Sequence, residues 1–160
     1  MFTNELYTGT REENYNLLLK QLVSLVEDEK SRIANLSNAS ALLQQFLDDI
    51  NWVGFYLLEE EDELVLGPFQ GKPACTRIKV GRGVCGTAVS RNETQLVDDV
   101  HQFPGHIACD SASNSEIVIP LKSKGQIIGV LDIDSPLFAR FDQVDLNYLT
   151  AFADKLGEYV

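Results

Sequence analysis

Basic residues are scarce in this chain. Lys and Arg number 13 against 24 Asp and Glu in 160 residues, so the formal net charge at pH 7 is −11. Sequence-independent binding of nucleic acid depends on clustered Lys and Arg that contact phosphates. The charge balance therefore excludes nucleic acid as an expected partner.

Long apolar runs are also missing. No uncharged apolar segment approaches the roughly 20 residues that a transmembrane helix needs. The first residues, Met1 to Leu6, lack the basic and apolar regions of a secretory signal. We therefore expect a cytoplasmic protein without a membrane partner, in a compartment that keeps thiols reduced. The length suits one domain, residues 1–160, and leaves little room for a second core.

Cysteine is the third scarce residue, with only Cys75, Cys85 and Cys109. Three cysteines are too few, and odd in number, for a disulfide framework. Cys85 lies at a small-residue helix start, where it could be a buried apolar thiol or a thiolate favoured by the helix N-terminus. Cys109 lies in a polar loop, where we expect an exposed and reactive thiol. A zinc site of His101, His106 and Cys109 is an alternative, although it lacks the close cysteine pair usual in structural zinc sites.

Hydrophobic periodicity predicts helices at both ends of the chain and strands between them. A capping box at Thr10 and Glu13 predicts the start of a first helix, and a second is expected from about Ser37 to Leu47. A closing helix is expected from about Asp142. Strands are expected at residues 52–58, 64–66, 78–80, 116–121 and 126–134, and a short helix at 84–90. The second strand is expected to end at Gly67-Pro68, and residues 98–115 to form a loop. Clustered strands with short turns indicate an α+β domain with a mostly antiparallel sheet.

Alternation along three strands places polar and aromatic side chains on one face of the predicted sheet. Trp52, Gly54 and Tyr56 share a face, and the glycine between the aromatic rings is expected to leave a hollow. A second packed layer is the simpler interpretation of these aromatics. Asp132 and Asp134 share a face of a later strand, and Glu116 begins the strand before it. If the three acids converge, they form a site for a positively charged group, and their repulsion raises the pKa of at least one.

Five segments together resemble the free methionine-(R)-sulfoxide reductases, small enzymes made of one GAF domain. The segments are Gly71-Lys-Pro-Ala-Cys75, Gly81-Arg-Gly-Val-Cys-Gly86, Phe103-Pro-Gly-His-Ile-Ala-Cys-Asp110, Ser115-Glu-Ile-Val and Gly129-Val-Leu-Asp-Ile-Asp134. The resemblance covers essentially the whole chain. Its most specific part is the set of three cysteines, each in its own motif. It implies a GAF-like α+β fold, with the sheet flanked by N-terminal and C-terminal helices.

The resemblance also implies a role for each matching residue. Cys109 matches the catalytic cysteine, which attacks the sulfoxide sulfur and becomes a sulfenic acid. Cys75 matches its disulfide partner, and Cys85 a third cysteine able to take part in resolution. The substrate-binding positions are matched by Trp52, Tyr56, Glu116, Asp132 and Asp134. The family uses thioredoxin as reductant, needs no metal or organic cofactor, and suggests a homodimer.

Two other functions suit the same pattern. A GAF module could bind a small molecule as a sensor without chemistry, although such modules normally carry an output domain and a domain of 1–160 leaves no room for one. The cysteines could also report oxidants without acting on a sulfoxide. Consumption of reductant with free methionine sulfoxide distinguishes the enzyme from both alternatives.

Overall fold

The structure, a computed structural model, describes residues 6–60, 62–107 and 109–160. Residues 1–5, in which no leader was predicted, lie outside the described residues, as do Glu61 and Ala108. The helices in the described ranges are α1 (Arg11–Val26), α2 (Arg32–Phe46), α3 (Gly83–Arg91) and α4 (Gln143–Gly157). The strands are β1 (Trp52–Glu59), β2 (Glu63–Gly71), β3 (Arg77–Lys79), β4 (Gln95–Val97), β5 (Ser115–Ser123) and β6 (Gln126–Ser135).

The six strands form one sheet in the order β3-β2-β1-β6-β5-β4, and each pairing among the described strands is antiparallel. Helices α1, α2 and α4 pack on one face and bury the larger apolar core with inward-facing residues such as Phe55 and Ile133. Helix α3 packs on the opposite face, against β5 and β6. The α+β class and the antiparallel sheet are thus confirmed.

Hydrogen bonds at the helix N-termini explain where the helices begin. Thr10 Oγ1 accepts from the backbone N–H of Glu13, whose carboxylate accepts from the N–H of Thr10, so the predicted capping box is confirmed. The predicted start of α2 near Ser37 is wrong, because Ser31 caps the helix by accepting from the N–H of Ala34. Ser37 instead lies inside the helix and donates to the carbonyl of Ile33.

Strand β2 continues beyond Gly67-Pro68, where the sequence predicted its end. The register between β1 and β2 shifts here: Gly54 pairs with Phe69, whereas Tyr56 pairs with Leu66. A β-bulge tolerates proline because one residue of the bulged strand is left out of the hydrogen-bond ladder. The three-residue strand β4 was not predicted, and it lies at the edge of the sheet beside β5.

Helix α4 is joined to α1 by a buried ionic network. Asp145 is 1% exposed and accepts a hydrogen bond of 2.6 Å from Tyr15 Oη. Arg11 and Arg140 also pair with its carboxylate, at 2.7 and 3.3 Å. These partners satisfy a charge that would otherwise be costly to bury. They attach the beginning of α1 to the beginning of α4. None of the helices in the described ranges has the length and apolarity needed to cross a bilayer.

Candidate active site

Two rows of side chains cross the centre of the sheet on the face that carries α3. In the first row, Trp52 of β1 pairs with Asp134 of β6, which pairs with Glu116 of β5. In the second row, Asp132 lies between Gly54 and Val118. The three predicted acids therefore converge on one face, where they line a single cavity together with Trp52 and Tyr56.

Two of these acids are buried, and the third, Asp134, is half-buried. Glu116 is 5% exposed and Asp132 is 6% exposed. Burial, followed by the charges of Asp132 and Asp134, raises the pKa of Glu116 well above its usual range. Burial and the charge of Asp132 do the same to the pKa of Asp134. The pKa of Asp132 is also raised by burial, but hydrogen bonds from Glu116 and Cys85 oppose that rise. Asp132 is therefore the member of the cluster best suited to carry the negative charge.

Cys85 lies in the first turn of α3 and points at these acids. Its Sγ donates to Asp132 Oδ2 over 3.3 Å, and the residue is 4% exposed. Burial, then Asp132 and Glu116, raises the pKa of the Cys85 thiol well above its usual range. The expectation that the helix N-terminus would favour a thiolate is therefore wrong, because desolvation and neighbouring carboxylates outweigh the helix dipole.

The other two cysteines form a disulfide at the opposite side of the cavity. Cys75 and Cys109 are 34 residues apart in sequence, and their Cα atoms are 5.8 Å apart. Cys109 is exposed, and Tyr56 Oη donates to the backbone carbonyl of Cys75 over 2.9 Å. The zinc arrangement of His101, His106 and Cys109 does not assemble, because Cys109 is bonded to Cys75 and His101 pairs with Asp99 at the surface.

Two contacts around the cavity, one made by Asn51 and one by His106, were not predicted from the sequence. Asn51 Nδ2 donates to Asp110 Oδ2 and Ser113 Oγ, at 3.2 and 3.0 Å, and so attaches the Cys109 loop to the start of β1. His106 Nε2 lies 3.9 Å from Glu116 Oε2. Asn51 lies 59 residues from Asp110 in the chain, and no local periodicity predicts such a contact.

The first turn of α3 forms another wall of the cavity. Arg82, Gly83 and Val84 line the cavity, and the side chain of Arg82 does not cap the helix. The N-terminus of a helix carries partial positive charge and favours anions. The cavity therefore combines an acidic floor with one wall suited to a carboxylate, as a zwitterionic ligand requires.

The hollow predicted at Gly54 is filled by a neighbouring strand. A Cβ at this position would lie 2.3 Å from Cβ of Phe69 and 2.9 Å from Cη2 of Trp52. The indole stacks between Phe69 and Tyr56, with ring centroids 5.2 and 5.9 Å away. Glycine is therefore needed for close packing of the aromatic wall rather than for an empty space.

We predict that Gly54→Ala lowers the melting temperature and weakens substrate turnover, because the added methyl group displaces Phe69 and the Trp52 ring. Overpacking of this kind costs about 1–3 kcal/mol. Thermal denaturation measures the change in melting temperature, and kcat/KM measures the change in turnover. Gly67→Ala is the matched control on the neighbouring strand, since its nearest contact would be 3.0 Å away. Equal melting temperatures for the two variants would contradict the prediction.

The cavity is small in this disulfide-bonded state. The space inside it that water can occupy is about 40 Å³, which suits a few water molecules or one small ion. The cavity thus brings a disulfide-bonded cysteine, an acidic cluster and an aromatic wall into one site.

Known proteins share both the sequence and the fold. Residues 36–160 match the GAF domain family. The chain is 60% identical over 147 residues to the free methionine-R-sulfoxide reductase of Escherichia coli, covering 90% of this chain and 88% of that one. It is 47% identical to the protein of that name from Saccharomyces cerevisiae, over 92% and 86% of the two chains. A solved structure of the Neisseria meningitidis free methionine-R-sulfoxide reductase, in complex with its substrate, superposes with a TM-score of 0.94 at 47% identity over 99% and 95% of the chains.

Proposed function

This chain belongs to the free methionine-R-sulfoxide reductases, oxidoreductases built on the GAF fold, and we propose that it reduces free methionine (R)-sulfoxide through a thiolate on Cys109. One observation carries the proposal. Cys109, which is bonded to Cys75, lines the same cavity as the three acids Glu116, Asp132 and Asp134.

Cys109 is the proposed nucleophile and Cys75 the resolving thiol. The Cys109 sulfur attacks the sulfoxide sulfur, the oxygen passes to Cys109 as a sulfenic acid, and methionine leaves with two more electrons. The Cys75 thiol then displaces hydroxide from the sulfenic acid, so that a disulfide and one water are formed. A dithiol reductant, which we propose to be thioredoxin, restores both thiols.

The acidic floor supplies a proton and a negative charge to different parts of the substrate. The sulfoxide oxygen must be protonated as its bond to sulfur breaks, which requires an acid that keeps its proton near neutral pH. Glu116 and Asp134 meet this requirement, because burial and mutual repulsion raise their pKa values. Asp132, whose carboxylate is hydrogen-bonded by Glu116 and Cys85, is the proposed partner of the substrate ammonium group.

The remaining groups position the substrate. Trp52 and Tyr56 provide an apolar surface for the S-methyl group, and the first turn of α3 faces its carboxylate. In the disulfide-bonded state Cys85 is buried and hydrogen-bonded to Asp132. We therefore assign it a secondary role in resolving the sulfenic acid. We also propose, from the family relationship, that the protein forms a homodimer.

We predict selectivity for the free amino acid in its (R) form. Within a peptide the α-amino and carboxyl groups become neutral amides, so the acidic floor and the α3 turn lose the charges that they complement. We expect turnover of a peptide-embedded sulfoxide to be at least 100-fold slower. The measurement is reductant consumption with a thioredoxin system, using free (R)- and (S)-sulfoxide and an acetylated, amidated methionine sulfoxide.

Reduced chain without sulfoxide and sulfoxide without the chain serve as controls for this assay. Consumption with neither free epimer, from folded and reduced protein, would overturn the proposed activity. Equal rates with the free and the capped substrate would overturn the proposed recognition of its charges.

A further inference from the structure

The buried floor of the cavity has the donor set of a zinc site. Cys85 Sγ and one carboxylate oxygen from each of Glu116 and Asp132 all lie within 4.8 Å of one another, and all three residues are buried. Thiolate and carboxylate ligands together favour Zn²⁺ over Mg²⁺ or Ca²⁺, which prefer oxygen ligands alone.

Among the described residues, one oxygen of this floor has no donor other than the carboxyl group of Glu116. Asp132 Oδ1 is buried and receives no hydrogen bond from an N–H, hydroxyl or thiol group of residues 6–60, 62–107 and 109–160. Asp132 and Glu116 are close enough to share a proton. Buried polar atoms are normally satisfied, so this oxygen requires either that shared proton or a cation.

The distances suit tetrahedral coordination. Ligand atoms about 2.3 Å (sulfur) and 2.0 Å (oxygen) from one Zn²⁺ lie about 3.5 Å apart at the tetrahedral angle, and Cys85 Sγ lies 3.3 Å from Asp132 Oδ2. His106 Nε2 lies 3.9 Å from Glu116 Oε2, but it is not close enough to all three ligand atoms to join the group. A water molecule is therefore left to supply the fourth ligand.

We propose that Cys85, Glu116 and Asp132, with water as the fourth ligand, bind one Zn²⁺, and that the bound ion excludes the substrate. On binding, the Cys85 thiol and the Glu116–Asp132 pair release their protons to solvent, and the ion takes the place of those protons. The ion occupies the floor on which the sulfoxide and ammonium groups are proposed to lie. The exclusion, unlike the metal site itself, rests on the proposed function.

Co²⁺ provides a direct test of the metal site in the oxidised chain. With Cys75 and Cys109 in a disulfide, Cys85 is the one thiol left in the chain. We expect one equivalent of Co²⁺ to produce a thiolate-to-metal absorption band in the near ultraviolet, which one equivalent of Zn²⁺ abolishes. The band should be lost in Cys85→Ser, and the affinity for Co²⁺ should fall at least tenfold in Asp132→Asn.

His101→Ala is the matched control for the metal titration, because His101 pairs with Asp99 at the surface. It should bind Co²⁺ as the unaltered chain does. Absence of the band in the oxidised chain would overturn the metal site, whatever the enzymatic activity. A band of full strength in Cys85→Ser would do the same. If Cys85→Ser does not fold, unchanged affinity in folded Asp132→Asn is the contradicting result.

Single-turnover measurements test the exclusion separately. Reduced enzyme, freed of reductant, should bind substrate at least tenfold more weakly in the presence of stoichiometric Zn²⁺, with the rate at saturating substrate unchanged. In Cys85→Ser, substrate binding with Zn²⁺ is compared with substrate binding without it. The weakening caused by Zn²⁺ should be smaller there than in the unaltered chain. If Zn²⁺ inhibited Cys85→Ser as strongly as the unaltered chain, the inhibition would come from binding to Cys75 and Cys109. That result would overturn the exclusion of substrate at the floor.

Discussion

Cys109→Ser is expected to form no methionine even in a single turnover. A serine hydroxyl is a far weaker nucleophile than a thiolate, and it cannot accept the sulfoxide oxygen as a sulfenic acid. Reduced enzyme mixed with an excess of free methionine (R)-sulfoxide, without external reductant, can complete one turnover only, which isolates this step. Quantified methionine should be one equivalent for the unaltered chain and below detection for the variant.

Cys75→Ser is the matched control, because it removes the partner sulfur and leaves the proposed nucleophile. It should form one equivalent of methionine and then stop, with Cys109 held as a sulfenic acid that a dimedone-type reagent captures. Thioredoxin-supported turnover should fall by at least 100-fold. A full equivalent of methionine from Cys109→Ser would show that another sulfur attacks the substrate.

Thiol titration in the same experiment separates Cys75 from Cys85 as resolving residues. The unaltered chain should go from three free thiols to one, because Cys75 and Cys109 form the bond seen in the structure. Cys85 is buried against Asp132, so in Cys75→Ser we expect the sulfenic acid to outlast the single turnover and to form a disulfide with Cys85 only slowly. Rapid loss of both remaining thiols in that variant would instead make Cys85 an efficient resolving residue.

Replacing a buried acid by its amide is expected to have the second largest effect. Glu116→Gln and Asp134→Asn keep the size of the side chain but cannot donate a carboxylic proton to the sulfoxide oxygen. General acid catalysis contributes about 10²–10⁴ in rate, so we expect kcat/KM to fall about 100-fold or more. The assay contains EDTA, so that metal binding at the floor does not contribute.

Glu59→Gln is the matched control for these acids. Glu59 also ends a strand, but it is exposed and lies outside the cavity. Its kcat/KM should stay within about twofold of the unaltered value. If Glu116→Gln and Asp134→Asn were both as active as the unaltered chain, neither acid would have a role in catalysis.

The pH dependence gives a further check on Glu116. Its pKa is raised by burial and by Asp132 and Asp134, so Glu116 keeps its proton to a higher pH than an ordinary glutamate and loses it as the pH rises through the raised pKa. Activity should fall over that range. The folded chain also binds this proton more tightly than the unfolded chain, so stability falls as pH rises from the unfolded pKa towards the folded one. The melting temperature of Glu116→Gln should therefore fall less with rising pH.

Local chemistry made much of the fold predictable. The cap of α1 depends on Thr10 and Glu13, three residues apart, and the cap of α4 lies at Asp142, where that helix was expected to begin. Strand alternation likewise placed Asp132 and Asp134 on one face and Ile133 on the other. These features depend on side-chain period and on hydrogen bonds within one turn, which the order of residues contains directly.

Contacts between distant segments were not predictable in the same way. The end of β2 depends on a bulge opposite β1, and the space at Gly54 depends on Phe69 of the paired strand. The pKa of Cys85 depends on the burial of its own thiol and on carboxylates from β5 and β6, which together reverse the effect expected from the helix N-terminus. Each outcome depends on packing and desolvation, which arise only when the strands lie side by side.

By itself, the sequence determined an acidic α+β chain with three cysteines in separate motifs and three acids at the ends of two strands. Tertiary structure decided which of those cysteines meet: Cys75 and Cys109 are bonded across 34 residues, and Cys85 is buried against Asp132. It also decided that the acids share one buried floor. Proximity between segments so far apart depends on sheet order and burial, and neither can be read from spacing along the chain.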